Sequence, residues 1–254
     1  MTTLEAIRAY WNTRAEGFSL KTAHELQHEQ ARWADRVRPF FPREGRLSVL
    51  DVGCGPGFLA ILLAKLGHEV TAFDYTEQML ERARVNAAEA GVHLTVCRGD
   101  AQSLPFGDGA FDMVVSRNLT WNLEQPERAY AEWLRVLAPG GSLLNFDGNH
   151  YRHLYDEAYA ELEAQDGRAD AHSPEYMLGV DPTPIREVAR QLPLSRVDRP
   201  QWDVAVLLGL HADRVAVEVE HRRFRSSQGK ECSLIGDFAV AARKMPRVEN
   251  TPAV

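Results

Sequence analysis

The stretch that decides the fold of this chain is Val49-Leu50-Asp51-Val52-Gly53-Cys54-Gly55-Pro56-Gly57. The apolar run over residues 47–52 predicts a buried strand, and a helix is predicted from about Phe58 to Leu66. Glycines at alternate positions let the backbone turn sharply between the two elements, with no side chain in the way. A ligand can then contact main-chain N–H groups at the start of the helix. Asp51 would end the strand, at the edge where open parallel sheets bind ligands.

The spacing of this turn, D-x-G-x-G-x-G, differs from two common nucleotide-binding patterns. Phe58 stands where the dinucleotide pattern G-x-G-x-x-G requires its third glycine. No Gly-Lys-Ser/Thr follows, so the turn is not a P-loop either. An ordinary tight strand-to-helix turn remains the alternative for this motif taken alone.

Strands and helices alternate on the carboxyl side of the turn. Strands are predicted at residues 69–74, 93–98, 111–116 and 142–146, with helices at 76–91 and from Pro126 to a Pro-Gly-Gly turn at 139–141. This alternation predicts parallel strands joined by right-handed helical crossovers. Two further strands, near 214–221 and 238–243, are expected to close the sheet. The basic residues between them are interpreted as a solvated turn: Arg222, Arg223, Arg225 and Lys230.

The segments around this core differ from it in pattern. Two N-terminal helices are predicted, residues 4–11 with Thr2 and Glu5 as a capping box, and residues 19–37, separated by a break at 12–18. The mainly helical, polar and proline-interrupted stretch that follows the fifth strand is interpreted as an inserted cap. The predicted division is a helical cover over 1–44, a core over 45–147, a cap over 148–200, closing strands over 201–245 and a tail over 246–254.

Composition limits the class of protein. The chain has 254 residues, 44% hydrophobic and 26% charged content and a net charge of −7, which is typical of a globular protein and unfavourable for a nucleic-acid partner. No apolar run approaches the roughly 20 residues of a membrane span, and the N-terminus does not resemble a signal peptide. Three cysteines without metal-type spacing favour reduced thiols. We therefore expect a cytoplasmic monomer or homodimer without membrane or nucleic-acid partners.

Acidic residues end the next two predicted strands. Asp74 follows the glycines by about 20 residues, where a carboxylate binds ribose hydroxyls in nucleotide folds. Asp100 ends the third strand in the sequence Gly99-Asp100-Ala101. A helix-capping or surface role is the alternative for Asp74.

Residues 49–57 resemble motif I of the class I S-adenosylmethionine-dependent methyltransferases, in particular their small-molecule branch. Further similar motifs follow in order over about residues 45–147: Gly99-Asp100-Ala101 with Leu104-Pro105-Phe106, Phe111-Asp112, and the turn that contains Pro139-Gly140-Gly141. The resemblance implies an α/β, Rossmann-like, doubly wound sheet of seven strands with the last antiparallel, an N-terminal helical cover and an inserted helical cap. It also implies S-adenosyl-L-methionine as the cofactor.

The resemblance and the spacing together suggest which residues bind that cofactor. Asp100 and the N–H of Ala101 would contact the adenine, Asp74 the ribose, and the glycine turn with Asp51 the amino acid portion. Tyr75 and Met79 could pack on the adenine or belong to the core. The full expected set is Asp51, Gly53, Cys54, Gly55, Gly57, Asp74, Tyr75, Met79, Asp100, Ala101 and Arg117.

The methyl acceptor is expected at the loops after the fourth and fifth strands. Expected acceptor contacts are Asn118 and Trp121 from the first loop and Tyr10 and Trp11 from the N-terminal helix; expected catalytic residues are Asp147, His150 and His153. A neutral imidazole can take a proton near pH 7, so a histidine is the predicted base if the acceptor arrives protonated. Loop or core packing is the alternative for each of these residues.

A second motif, His24-Glu25-Leu26-Gln27-His28, matches the zinc-protease pattern H-E-x-x-H. Both histidines fall on the polar side of the predicted helix and lack a clear third ligand, so no metal is expected. The predicted function is methyl transfer to an O, N, S or C atom of a small molecule. The alternatives are methylation of a macromolecule, a non-catalytic cofactor-binding regulatory protein and, least favoured, a zinc hydrolase.

Overall fold

A computed structural model describes residues 2–165 and 173–246, which form one seven-stranded sheet with helices on both faces. The strands are β1 Ser48–Val52, β2 Glu69–Asp74, β3 Thr95–Arg98, β4 Phe111–Arg117, β5 Leu137–Gly148, β6 Arg214–Arg225 and β7 Glu231–Arg243. Their order is β3-β2-β1-β4-β5-β7-β6. The first five strands are parallel, and β7 is antiparallel to both β5 and β6. This arrangement confirms the predicted fold class, including the antiparallel last strand.

Nine helices occur within the described residues. They are α1 Thr3–His28, α2 Gln30–Val37, α3 Phe58–Lys65, α4 Glu77–Glu89, α5 Pro126–Val136, α6 Glu157–Gln165, α7 Pro174–Met177, α8 Thr183–Ala189 and α9 Gln201–Gly209. None of these helices is both long and apolar enough to cross a bilayer.

The side chains of β1 show how the sheet is sandwiched. Val49 packs into an apolar cluster with α2, α3 and α4, whereas Leu50 and Val52 point to the other face and pack with α5 and α9. All three are fully buried. Burying a side chain of this size contributes about 1.5–3 kcal/mol, which fixes the register of the central strand.

The strand order reverses on either side of β1, and this places the site. β1 pairs with β2 on one side and with β4 on the other, in register from Val52 to Phe73 and from Val52 to Ser116. Open α/β sheets bind ligands at such a switch point, outside the carboxyl ends of the strands. Asp51, Asp74 and Arg117 therefore come to the same edge.

The predicted break at residues 12–18 is wrong, because α1 runs without interruption from Thr3 to His28. Its N-terminus has the predicted capping box between Thr2 and Glu5. Gly17 is helical and lies against α7, where an added Cβ would be 1.8 Å from the carbonyl oxygen of Tyr176. Arg14 donates to the same carbonyl at 2.7 Å. Glycine here permits close helix packing rather than ending the helix.

The strands at the C-terminal edge are longer than predicted. Arg222, Arg223 and Arg225 belong to β6 and pair with residues of β7, so they do not form a solvated turn. Phe224 between them is buried, which gives this part of the hairpin an apolar anchor. β5 likewise begins at Leu137, directly after α5, and includes the predicted turn at 139–141.

The described residues between β5 and β6, 149–165 and 173–213, are mainly helical and rest on the sheet layer through α9. Leu207 of α9 is fully buried, and the hydroxyl of Tyr130 on α5 donates to Asp203 at 2.6 Å. The division of the chain into a cover, a core, a cap and closing strands remains our proposal. Residues 247–254 of the predicted tail lie outside the described residues.

Candidate functional site

A cavity of about 340 Å³ opens at the carboxyl ends of the central strands. Its walls come from the glycine turn, the strand ends, α1 and the segment after β5. The predicted site residues that line it are Tyr10, Trp11, Asp51, Gly53, Cys54, Gly55, Asp74, Tyr75, Met79, Asp100, Ala101, Arg117, Asn118, Trp121, His150 and His153. Gly57 and Asp147 do not line it.

The glycine turn is held in the left-handed conformation. Gly53 has φ +69° and Gly55 has φ +52°, values that favour glycine. A Cβ at Gly53 would also lie 2.6 Å from the Leu119 side chain. Gly57, with φ +94°, precedes α3 and faces Ala83 of α4, where a Cβ would be 3.3 Å from the Ala83 Cβ. This packing position corrects the expectation that Gly57 contacts a ligand.

Asp74 ties the glycine turn to β2. Its Oδ2 accepts a hydrogen bond from the Gly55 N–H at 3.0 Å, and its Oδ1 accepts one from the Thr76 N–H at 2.8 Å. The second bond closes a local turn onto Thr76, which is the N-cap residue of α4. Each carboxylate oxygen can accept more than one hydrogen bond, so both remain able to accept from vicinal hydroxyls. Burial raises the pKa of this carboxyl group.

Asp100 keeps one carboxylate oxygen for a ligand. Its Oδ1 accepts from the backbone N–H of Gln102 at 2.9 Å and from the Gln102 side-chain amide at 3.0 Å. Its Oδ2 has no partner among the described residues. An exocyclic amine is the type of donor that such an oxygen accepts from.

Asp51 and Arg117 each present a buried polar atom without a partner in the described parts of the chain. Asp51 is 1% exposed, and its Oδ2 accepts no hydrogen bond. Burial, together with the nearby Asp74 charge, raises the pKa of Asp51 to about 7. Arg117 Nη1 is also buried and donates to nothing. Because buried polar groups are almost always paired in native proteins, this pair fits a ligand that carries both an ammonium and a carboxylate.

Arg117 is held in place by groups from α1, α2 and α3. Its Nη2 donates to both carboxylate oxygens of Glu25, at 2.7 and 2.9 Å. Its guanidinium lies 4.8 Å from the Trp33 ring centroid and 4.7 Å from that of Phe58. Such stacking suits the flat, weakly hydrated guanidinium. Because these neighbours are rigid, they also fix the direction of Nη1.

Aromatic side chains form the outer part of the cavity. The Trp121 ring centroid lies 6.2 Å from that of Trp11 and 4.9 Å from that of Tyr151, and Tyr10 contacts Trp11 at 5.2 Å. Trp121 Nε1 donates to the Asn118 carbonyl at 3.0 Å, which fixes the orientation of the indole. The predicted acceptor contacts are therefore neighbours in space.

Both predicted histidines border this aromatic wall. His150 lies edge-on to Trp121 with ring centroids 5.9 Å apart, and its Nε2 is 3.3 Å from Asp147 Oδ1. His153 contacts Tyr151 at 5.8 Å. Burial lowers the pKa of His153, so its imidazole is neutral near pH 7.

Asp147 lies behind the wall rather than in it. Its carboxylate is fully buried, accepts from the Thr120 hydroxyl and the Trp121 N–H, and pairs with Arg199 Nη1 at 2.8 Å. Although burial opposes ionisation, the Arg199 guanidinium holds the pKa of Asp147 well below its usual range. This placement differs from the expectation that Asp147 faces the acceptor; the carboxylate instead accepts from the Trp121 N–H and lies 3.3 Å from His150 Nε2.

The sequence agrees with known proteins over the part of the chain that builds this site. Residues 50–145 match the family described as "Methyltransferase domain". This part of the chain is therefore similar to methyltransferase domains. The resemblance inferred from the glycine turn and the ordered aspartates is thereby confirmed.

Curated relatives of this methyltransferase domain share moderate identity. The chain is 37% identical over 115 residues to a demethylmenaquinone methyltransferase of Thermus thermophilus, which covers 44% of the chain and 52% of that protein. It is 30% identical over 155 residues to a ubiquinone biosynthesis O-methyltransferase of Thiobacillus denitrificans, covering 58% and 62% respectively. The chain thus matches only about half of the first relative's length.

Solved structures support the fold of the methyltransferase domain. A SAM-dependent methyltransferase from Methanosarcina mazei matches with a TM-score of 0.54 at 18% identity, over 84% of this chain and 98% of that one. A SAM-dependent methyltransferase from Aquifex aeolicus matches with a TM-score of 0.50 at 20% identity, over 83% and 88%. Both likenesses support the Rossmann-like fold.

The H-E-x-x-H motif is accounted for by a different pairing of its glutamate. His24 and His28 are exposed, as predicted, with ring centroids 4.3 Å apart. Glu25 is buried and paired with Arg117, so it is not available as a metal-site base. Over 2–165 and 173–246, no three His, Cys, Asp or Glu side chains are grouped so as to hold a metal. That the protein holds no zinc remains a prediction.

Three residues in or beside the cavity were not identified from the sequence. Glu25 was considered only as part of the metal motif, and Arg222, which lines the cavity, only as part of a turn. Arg199 carries no local signal, because its partner Asp147 is 52 residues away along the chain. Local sequence patterns do not report contacts between residues this far apart, so they could not have identified Arg199.

Proposed function

We propose that this protein transfers a methyl group from S-adenosylmethionine to a small-molecule acceptor. The observation that carries the proposal is the pair of unpartnered buried atoms, Asp51 Oδ2 and Arg117 Nη1, in the cavity that Asp74 and Asp100 also line. A zwitterionic amino acid group joined to a nucleoside would satisfy all four residues. A cytoplasmic location and the state of assembly are further parts of the proposal.

Each of these residues contacts a different part of the cofactor. Asp100 Oδ2 and the Ala101 N–H form hydrogen bonds with the adenine, and Tyr75 and Met79 pack on its ring. Asp74 accepts from the ribose hydroxyls. Gly53, Cys54 and Gly55 leave room for the amino acid portion.

The ammonium and carboxylate of that portion pair with Asp51 and Arg117. When bound, the cofactor supplies a methyl group already activated by its sulfonium. The protein then has to align the acceptor in line with that methyl group and exclude water.

The acceptor binds in the aromatic outer part of the cavity. Trp121, Trp11 and Tyr10 provide the walls, which suit a planar acceptor. The relatives named for demethylmenaquinone and for ubiquinone biosynthesis support a planar ring. His150 takes a proton from an acceptor hydroxyl, and Asp147, 3.3 Å away, orients the imidazole and stabilises its charged form. His153 is the second candidate base.

Calorimetry with S-adenosylhomocysteine tests the cofactor part of the proposal. We expect one site per chain, and Asp74→Ala should weaken binding by about 1.5–3 kcal/mol, the scale for hydrogen bonds to a charged group. Asp108→Ala, at a side chain that is 80% exposed, is the matched control and should bind like wild type. Absence of binding to folded wild-type protein would refute the proposal.

Transfer of labelled methyl groups tests the catalytic part. Label should enter the low-molecular-weight fraction of a cell extract, and Trp121→Ala should reduce this while cofactor affinity stays near wild type. Label in protein or nucleic acid would favour a macromolecular acceptor. Binding without any transfer would favour a regulatory protein.

A further inference from the structure

β6 is the edge strand of the sheet, and the Gln165 side chain of α6 donates to its backbone only at the far end, at the Arg225 carbonyl. β7 pairs with it on one side, and no strand of the described chain lies on the other. In an antiparallel strand, every second residue directs its N–H and C=O groups away from the neighbouring strand. Between 214 and 221, the structure shows no backbone hydrogen bonds other than those to β7. The edge therefore offers a row of donors and acceptors.

The side chains of this edge favour strand pairing. All of residues 214–221 except Val215 are exposed. Val215, Val217 and Val219 share one face, since side chains alternate along a strand, and Val217 and Val219 are each 39% exposed. β-Branched residues favour strands, and the segment lacks the proline and the lysines that usually protect an exposed edge.

The other face of the same segment carries charge. Arg214, Glu218 and Glu220 alternate with the valines. The Glu220 carboxylate is half-exposed and lies 3.8 Å from Arg36 and 3.9 Å from Arg32 of α2. At these distances and exposures the contacts are weak, so Glu220 remains able to pair with an incoming cation.

The segment 214–220 is complementary to a second copy of itself when the two run antiparallel with Val217 at the centre. In an antiparallel two-fold pairing centred there, Val217 faces Val217, Val215 faces Val219, and Arg214 faces Glu220. Centring one residue later would place Glu218 opposite its own copy, and centring at Val219 would oppose Glu218 and Glu220. Like charges directly opposite each other destabilise a strand pair, so the register at Val217 is favoured.

We propose that a second copy of this chain binds here, with residues 214–220 of the two β6 strands paired antiparallel about Val217. The pairing joins two seven-stranded sheets into one, and the interface is isologous. The register shift between Val219 and His221 marks where the flat edge ends. The inference does not depend on methyl transfer, because the glycine turn and the central strands that hold the proposed cofactor site lie away from this edge.

Light scattering and sedimentation over a concentration series test the proposal. Wild-type protein should have twice the 28.5 kDa mass of the chain. Val217→Lys places two lysines together at the axis and should raise the dissociation constant at least about tenfold. Val85→Lys is the matched control, since Val85 is 47% exposed on α4, away from the edge, and it should leave the dimer intact. Circular dichroism verifies that each variant is folded.

A charge exchange tests the register. Arg214→Glu alone brings two acidic groups together and should weaken the dimer, whereas Arg214→Glu with Glu220→Arg should restore it. A wild-type monomer at high micromolar concentration overturns the proposal, as does a dimer that Val217→Lys leaves unchanged. If the double variant is as weak as the single one, the two-fold register is wrong.

Discussion

Asp51 is a carboxyl group that burial leaves partly protonated near neutral pH, with a pKa of about 7. A bound ammonium favours the ionised form, so binding below that pH must release a proton. We expect the affinity for S-adenosylhomocysteine to fall as pH drops below about 7, by a limiting factor of roughly ten per pH unit. Calorimetry across this range measures the slope, and Asp51→Asn should bind weakly with no such slope. A wild-type affinity that is flat through neutrality would contradict this role.

The raised pKa of Asp51 has the opposite effect on the stability of the ligand-free protein. The folded state keeps the Asp51 proton up to a pKa of about 7, whereas the ordinary value is 3.8. Asp51 therefore costs stability progressively as pH rises between these two values, by roughly 1.4 kcal/mol for each pH unit. Asp51→Asn should be more stable than wild type above pH 7, as measured by urea unfolding. Equal stability at that pH would argue against burial as the cause.

The positions of some site residues could be predicted from the sequence, and those of others could not. Asp51, Asp74 and Asp100 lie at or just beyond the carboxyl ends of β1, β2 and β3, so their common edge followed from strand periodicity and parallel topology alone. Glu25 could not be placed in this way. Its contact with Arg117 depends on how α1 crosses the sheet, which no local pattern encodes.

Helix α1 shows how a distant contact overrides a local signal. Glycine within a helix costs about 1 kcal/mol relative to alanine, which is why residues 12–18 were predicted as a break. The helix continues because α7 packs directly on Gly17. The lengths of β6 and β7 were underestimated for a similar reason, since each strand supplies the partner that the other needs.

Gly17→Ala tests this packing at the level of elements. The new Cβ would lie 1.8 Å from the Tyr176 carbonyl oxygen, so α1 and α7 must separate. We expect a loss of about 1–3 kcal/mol despite the better helix propensity of alanine. Gly107→Ala, where a Cβ meets nothing within 4 Å, is the control and should be nearly neutral. A stabilised Gly17→Ala protein in thermal unfolding would show that the two helices are not in contact.

Across the whole molecule, Arg199 connects the segment after β5 to the sheet. It pairs with Asp147 at the end of β5 and with Asp203 of α9, at 2.8 and 2.6 Å, and is 2% exposed. Arg199→Met would leave two buried carboxylates unpaired and should cost about 3–5 kcal/mol. Arg223→Met, at an exposed side chain, should change the unfolding free energy little. If both variants had similar urea midpoints, the ion pairs of Arg199 with Asp147 and Asp203 would not be buried in solution.

Helix α1 borders both ends of the cavity and so links the two halves of the molecule. Tyr10 and Trp11 lie at the proposed acceptor end, and Glu25 pairs with Arg117 at the proposed cofactor end. These residues belong to one uninterrupted helix of 26 residues, so they cannot move independently. The helix ends at His28, and α2 begins at Gln30 after the single residue Glu29. A rigid connection of this kind makes the positions of Tyr10 and Trp11 depend on how Glu25 and Arg117 hold the helix at its other end.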